Sequence, residues 1–360
     1  MAFPAEEIPL YERRISIPAR LFAKDVQNPM QNVLITGGAG YVGHILTPRF
    51  LDRGLKVTVY DILYFGCRLP NHPNLTVIQG DIRDTAKLAK AMEGQDAVLH
   101  LACISNDASF ELDENLSQTI NFDCFEDIVV SAKKAGVKRF IYCSSSSVYG
   151  ISDSPDVTEE HPLLPVSLYN KFKGMCEPIL WKHKADDFTC TALRPATVCG
   201  YSPRTRLDLS VNILTNHAIN KGKITVFGGS QMRPNLHIED MVDAYELLLD
   251  APHEKVHGEV FNIGFENHSI ADIALMVQKV VKEEFPEKGE IPIETTPSND
   301  NRSYHVNSDK VKRVLGFEPK RNIEDAVRDV ARAFKNHLLP NSFDDDWYYN
   351  VRTMKKLGAK

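Results

Sequence analysis

The stretch Asn32-Val-Leu-Ile-Thr36, followed by Gly37-Gly-Ala-Gly-Tyr-Val-Gly43, constrains this chain more than any other feature. Its first five residues form a short apolar run of the kind that parallel sheets bury on both faces. Gly38, Gly40 and Gly43 satisfy the spacing G-x-G-x-x-G, and a helix-like stretch continues to Gly54. Strand, glycine turn and helix in that order let a pyrophosphate approach the backbone at a helix N-terminus. Free N–H groups and the positive end of the helix dipole then face the anion. A second apolar run, Lys56-Val-Thr-Val-Tyr60, ends at Asp61, eighteen residues past Gly43. An acid there accepts hydrogen bonds from the adenosine ribose hydroxyls and repels a 2′-phosphate, which favours NAD over NADP.

The alternation continues down the chain. Leu75-Thr-Val-Ile78 leads to Gly80-Asp81-Ile82, where Asp81 and Ile82 are placed to flank an adenine ring. Ala97-Val-Leu-His-Leu-Ala102 reads as a buried strand with the cofactor beyond its carboxyl end. Arg139-Phe-Ile-Tyr-Cys-Ser144 and Thr191-Ala-Leu-Arg-Pro195 read as two more. Strands alternating with helices predict an α/β fold with a doubly wound parallel sheet. His100, inside an apolar strand, reads as a packed or backbone-bonded histidine rather than a base. Later, Gly258 to Gly264 reads as a last strand, and helices are expected over 269–285, 308–316 and 323–337.

Composition narrows the function class. At 360 residues, 43% hydrophobic and 25% charged, the chain suits a soluble enzyme of one large or two interlocked domains. A net charge of −6 argues against nucleic acid or an anionic membrane surface as partner. Seven cysteines without a C-x-x-C pair point to a reduced, cytoplasmic protein without structural zinc. No apolar run approaches the length of a membrane span. Residues 1–30 carry charges of both signs, unlike a signal peptide, and read as an arm over the body or a neighbouring subunit.

Tyr169 and Lys173 stand four residues apart in Ser167-Leu-Tyr-Asn-Lys-Phe-Lys-Gly. On a helix that spacing puts phenol and ammonium on one face. A phenol beside a fixed cation ionises below its reference value of about 10, which suits proton exchange with an alcohol or carbonyl. Pro178, five residues on, is expected to kink that helix.

These pieces, together with Gly80-Asp81, Asn121, Ser144 to Gly150, Arg194-Pro195, Arg233-Pro-Asn-Leu-His237 and Asn301-Arg302, resemble the extended short-chain dehydrogenase/reductase family. The resemblance is to its nucleotide-sugar epimerases, dehydratases and reductases, and it covers residues 31 to about 330 in order. It implies a Rossmann domain over 31–196 plus about 236–264. A substrate-binding lobe would follow over about 197–235 plus 265–340, with a tail over 341–360. It implies NAD as cofactor, a nucleotide-diphosphate sugar as substrate, and a homodimer through helices around 115–134 and 169–185.

The resemblance also implies roles. Tyr169 is the acid/base, Lys173 holds the nicotinamide ribose, and Ser145 hydrogen-bonds the reacting sugar oxygen. Gly37, Gly40, Tyr41, Val42, Gly43, Leu101, Ala102, Asn121, Ser144 and Val198 surround the cofactor with Asp61, Asp81 and Ile82. Ser105, Ser146, Ser147, Thr197, Arg204 and Arg206 face the substrate, whose diphosphate Arg233 and Arg302 clamp. The segment from Ser202 to Asn212 is similar to bacterial enzymes that oxidise or epimerise heptose or deoxyhexose nucleotides. Ser146 and Ser147 occupy the positions of the acidic pair that drives water elimination in 4,6-dehydratases. The sequence therefore favours reversible oxidation of a ring hydroxyl at C4, as an epimerase, with a net dehydrogenase or reductase as the alternative. A non-catalytic dinucleotide sensor is disfavoured by the intact Ser145, Tyr169 and Lys173. The acidic, aromatic tail Phe343-Asp-Asp-Asp-Trp-Tyr-Tyr349 reads as an interface segment or a peripheral cap.

Overall fold

The computed structural model describes residues 30–298 and 303–358, so the N-terminal arm and Arg302 lie outside the described residues. Among the described residues twelve strands are formed in chain order. They are β1 (Asn32–Thr36), β2 (Lys56–Asp61), β3 (Leu75–Gln79), β4 (Ala97–His100), β5 (Arg139–Cys143) and β6 (Thr189–Pro195). The others are β7 (Thr197–Cys199), β8 (Ile224–Phe227), β9 (Met232–His237), β10 (Glu259–Ile263), β11 (Glu266–Ser269) and β12 (Ile293–Thr296).

Seven of them make one sheet in the order β10-β6-β5-β4-β1-β2-β3, every neighbouring pair parallel. The chain starts in the middle at β1, builds outward to β3, and returns across β1 to β4. That reversal leaves a crevice at the carboxyl ends of β1 and β4. Alternate residues of β1 serve the two faces, as the period of two demands. Val33 and Ile35 join the core with the helices Gly43–Asp52 and Ile238–Asp250. Leu34 joins the opposite core with Thr85–Met92, Phe125–Lys134 and Leu168–His183. The predicted doubly wound sheet is thus the fold, and the predicted late strand is its edge, β10.

Beyond β6 the chain builds a second layer system. Strands β11, β9 and β7 form a small mixed sheet, and β12 pairs with β8 in parallel. Helices Ser210–Asn220, Ile270–Glu284 and Ile323–Lys335 bury a separate core against them. Two of these helices start with reciprocal capping boxes, Ser269 with Asp272 and Asn322 with Asp325, near the starts expected from sequence. The helix expected over 308–316 forms at Asp309–Leu315 and stops at Gly316, whose φ of +69° lets it cap the end.

Two local details add to these expectations. Strand β4 ends at His100, and the N–H of Leu101 makes the closing ladder bond to the carbonyl of Thr36 at 3.1 Å. Pro178 lies inside Leu168–His183, yet the helix continues past it to His183. Its ring is on the exposed side, where the helix carbonyls can tilt outward to water.

Candidate active site

The crevice widens into a cleft of about 750 Å³ lined from β1, β4, β5 and β6 and from the second layer system. The glycine turn forms one end. Gly37 has φ +73°, and a Cβ on it would stand 2.7 Å from the backbone nitrogen of Ala102. The loop after β4 therefore lies directly on the turn, bringing Leu101 and Ala102 to the cleft wall with Gly40, Tyr41 and Val42. A Cβ on Gly43 would strike the carbonyl oxygen of Gly38 at 2.2 Å, so only glycine lets the helix begin there. No side chain caps the start of that helix, Gly43–Asp52. An uncapped helix N-terminus opening on a cleft suits a phosphate.

Asp61 closes β2. Its carboxylate accepts from the N–H of Leu63 at 2.8 Å and of Ala39 at 3.0 Å. Burial raises its pKa, and those two N–H groups hold it back. Asp81 and Ile82 line the same end, with Asp81 chelated by Arg83 through its Nε at 3.0 Å to each oxygen. Burial works on the Asp81 carboxyl first, but Arg83 outweighs it and lowers the pKa. Asn121 sits in one turn of π-helix, Thr119–Asp123. Its side chain accepts from the N–H of Ile104 at 2.8 Å and donates to the Ile104 carbonyl at 2.9 Å. Asn121 thus stands behind the cleft wall and pins the loop after β4 from beneath.

The helix Leu168–His183 begins at Ser167, whose hydroxyl accepts from Asn170 N–H at 3.2 Å and donates to Asp107. Tyr169 and Lys173 follow one turn apart, both on the cleft. Lys173 donates from Nζ to the carbonyl of Cys143 at 2.7 Å, with its ammonium 5.2 Å above the Tyr142 ring. Burial opposes that ammonium, but Cys103, Tyr169 and Cys143 outweigh it and raise its pKa, so it stays charged. For Tyr169, burial pushes the phenol pKa up, and Lys173 is the largest influence pulling it down. The sequence expectation of a phenol lowered outright is met only in the direction of the Lys173 effect, because the helix start is buried as well as cationic.

Ser145 extends toward the same space, its hydroxyl 2.7 Å from that of Ser147, which donates to Asn170 at 2.6 Å. Ser146 and Thr197 also line the cleft, and Val198 does so from β7. Ser144 lines the cleft too, but its hydroxyl is committed to Glu177, to which it donates at 2.6 Å. Glu177 is gripped by Arg194 at 3.0 and 2.6 Å, and Arg194 donates also to Tyr149 at 2.7 Å. This buried network locks the catalytic-type helix to β6. His100, with Nδ1 2.8 Å from the Thr36 hydroxyl, is packed under the sheet as expected, and burial lowers its pKa to about 3.

The three described arginines expected at a substrate differ. Arg233 lines the cleft and donates to the Met232 carbonyl at 2.9 Å. Arg206 forks Asp208 at 2.9 and 3.1 Å and reaches Ser105 at 3.1 Å. Arg204 bonds neither of those groups; its Nη2 donates to Asn350 Oδ1 at 2.6 Å. Asn350 and Met354 are wall residues that the sequence reading missed. They belong to the acidic, aromatic tail, which is folded back into the body with Tyr348 and Tyr349 packed on Leu207, Val330 and Leu339. The signal that could have found them is the run of three aromatics, Trp347-Tyr-Tyr349, directly before Asn350, which is unusual for a free tail.

Fold and cleft together define a dinucleotide-dependent enzyme on a doubly wound sheet. Residues 33–264 match the NAD dependent epimerase/dehydratase family, and the chain belongs to that family. It is 31% identical over 345 residues to a UDP-glucose 4-epimerase of Lactobacillus helveticus, covering 87% of this chain and 99% of that one. The solved UDP-glucose 4-epimerase of Thermotoga maritima, with UDP-glucose, superposes with TM-score 0.76 at 25% identity, covering 86% of this chain and all of the other. The dTDP-glucose 4,6-dehydratase of Streptomyces venezuelae, with NAD bound, has TM-score 0.76 at 21% identity over 89% of this chain and shares the fold. The cofactor is NAD, and the cradle at Gly37, the uncapped helix start and Asp61 fit it. Among the described residues no helix is long and apolar enough to cross a membrane.

Proposed function

We propose that this protein is a nucleotide-sugar 4-epimerase that works by reversible oxidation of the C4 hydroxyl. The observation that carries this reading is the meeting of Tyr169, Lys173 and Ser145 on the cleft that holds the glycine turn. In this reading the Tyr169 phenolate takes the hydroxyl proton while C4 gives up a hydride, and it returns the proton when the ketone is reduced on its other face. Lys173 keeps its positive charge beside the phenolate. Ser145 holds the sugar oxygen and relays the proton. NAD, when bound, takes the hydride and gives it back, leaving no net redox change. The substrate is a nucleotide-diphosphate sugar, whose diphosphate Arg233 faces with its planar donor fork.

The acids on the cleft support an epimerase over a dehydratase. Asp61 accepts backbone N–H groups, Asp81 is chelated by Arg83, Asp107 accepts from Ser167, and Asp208 is forked by Arg206. Serines 146 and 147 stand where elimination needs an acid and a base, and hydroxyls do not titrate near neutrality. The proposed homodimer would use the helices Phe125–Lys134 and Leu168–His183, on which Leu168 and Met175 are exposed. Sedimentation at several concentrations tests it, and a single monomeric species would rule it out.

The reaction is tested by incubating the purified protein with UDP-, GDP-, CDP- and dTDP-sugars. Product is followed by nuclear magnetic resonance and NADH by absorbance. Interconversion of C4 epimers without accumulating NADH is expected. Stoichiometric NADH with a keto product would assign a dehydrogenase instead, and loss of water would assign a dehydratase.

A further inference from the structure

Arg204 is a buried cation left half-satisfied by its own protein. It is 1% exposed, yet among the described residues its Nε and Nη1 have no hydrogen-bond partner. Its Nη2 is bonded to Asn350. Burial lowers its pKa to about 9. A guanidinium so placed costs stability, because each buried N–H without an acceptor forfeits its hydration. A buried group of this kind calls for a partner, and a bound ligand can supply one.

The surrounding geometry says which ligand. The turn that carries Arg204 is tied to the glycine turn: the Ser202 hydroxyl donates to the Tyr41 carbonyl at 2.8 Å and accepts from the Arg204 N–H at 3.3 Å. From the other side, the Tyr41 hydroxyl donates to the Gly200 carbonyl at 2.6 Å. The guanidinium lies 4.0 Å over the ring of Phe65, on the segment that follows Asp61. Trp347 of the tail stands 5.9 Å from it and packs against Arg68 of the same segment at 4.2 Å. Arg204 therefore belongs to the cofactor end of the cleft, between the glycine turn and the loop after β2. Arg206, two residues on, is neutralised by Asp208.

We propose that Arg204 is an anion-binding residue for the diphosphate of the bound dinucleotide, and that the C-terminal tail is a strap which aims it through Asn350. The two unpartnered N–H groups suit phosphate oxygens, and a diphosphate offers the charge that burial makes this guanidinium need. Asn350 is suited to the positioning part. Its Oδ1 takes Nη2 of Arg204, its Nδ2 donates to Ser105 at 3.0 Å, and its N–H donates to Asp208 at 3.2 Å. One tail residue thus ties together the cofactor arginine, the loop after β4 and the Arg206–Asp208 pair. The tail lies outside the residues matched by the family model, 33–264. The inference rests on NAD dependence and is independent of which sugar is turned over.

The test uses full-length protein stripped of nucleotide, as wild type, Arg204→Met and Asn350→Ala. Titration calorimetry with NAD, ADP and UDP is combined with Tm measured without ligand. Arg204→Met is expected to weaken ADP and NAD about 10- to 100-fold, as loss of charged hydrogen bonds does. UDP affinity should change less than about twofold. Without ligand, its Tm should hold or rise by about 1–3 °C, since a buried unsatisfied charge is gone. Asn350→Ala should weaken ADP about 3- to 10-fold, with no loss of UDP affinity. Unchanged ADP affinity in Arg204→Met overturns the proposal, and so does a loss confined to UDP. A fall in ligand-free Tm of more than about 5 °C overturns it too, because Arg204 would then be structural. Unchanged ADP affinity in Asn350→Ala removes the role of the tail. Failure of the epimerase reading would leave all these binding results as they are.

Discussion

Arg194 and Arg204 are ten residues apart, both buried, and opposite in what they do with burial. Arg194, under the helix Leu168–His183, spends its donors on Glu177, Tyr149 and the Glu159 carbonyl, and those partners raise its pKa above the ordinary arginine value against the pull of burial. Arg204, under the tail, has one acceptor among the described residues and a pKa lowered to about 9. On the sheet side Arg194 is completed from within, although Arg139 on β5 also keeps an unpartnered Nε among the described residues. The cleft wall leaves one incomplete.

The largest expected effect lies on the cleft side. Tyr169→Phe should lower kcat by about three orders of magnitude while NAD stays bound, consistent with loss of a general acid–base group. Retained turnover would break the proton-transfer assignment. On the framework side, Arg194→Met should strand Glu177 as a buried, unpaired carboxylate and cost about 3–5 kcal/mol by denaturant unfolding. Set beside the neutral or raised Tm expected for Arg204→Met, this contrast is the sharpest check on the comparison. Equal losses in both variants would erase it.

Acid should also find the framework side. Burial lowers the pKa of His100 to about 3 and that of His44 to about 4, both below the unfolded value of about 6.5. Their contribution is whole above pH 6.5 and is lost as pH falls toward the folded values, because the unfolded chain binds the protons first. Between pH 6.5 and 5.5 the two together should cost about 2 kcal/mol. His100→Gln should flatten the slope of stability against pH by one proton; an unchanged slope would show that His100 is not held neutral. The smallest effect expected is Asp61→Asn, which should shift preference from NAD toward NADP by about tenfold in binding. No shift would remove the ribose role from Asp61.

How much of this was legible follows from the range over which each signal acts. Strands β1 to β6 were readable because apolar runs and glycine punctuation are local. So were the helices at Ile270–Glu284 and Ile323–Lys335, whose capping residues lie within three positions of one another. Strands β9 and β11 were not, since Met232-Arg-Pro-Asn-Leu-His237 and Glu266-Asn-His-Ser269 hold no apolar run. Tyr169, Lys173, Ser145 and Asp61 could be named from spacing in a known order. That Ser144 commits its hydroxyl to Glu177, that Asn121 pins Ile104 from behind the wall, and that Asn350 enters the cleft could not.

The sequence by itself determined the parallel sheet, the glycine turn and the helix that pairs a phenol with an ammonium, because each is written in neighbours a few residues apart. Only the tertiary structure decided the partners of the buried charges. The contact of Arg204 with Asn350 spans 146 positions, and that of Arg194 with Glu177 crosses from strand to helix. No local pattern encodes such meetings. Desolvation makes them costly to leave unmade, and the packing of the whole chain decides which arginine is completed and which is left incomplete.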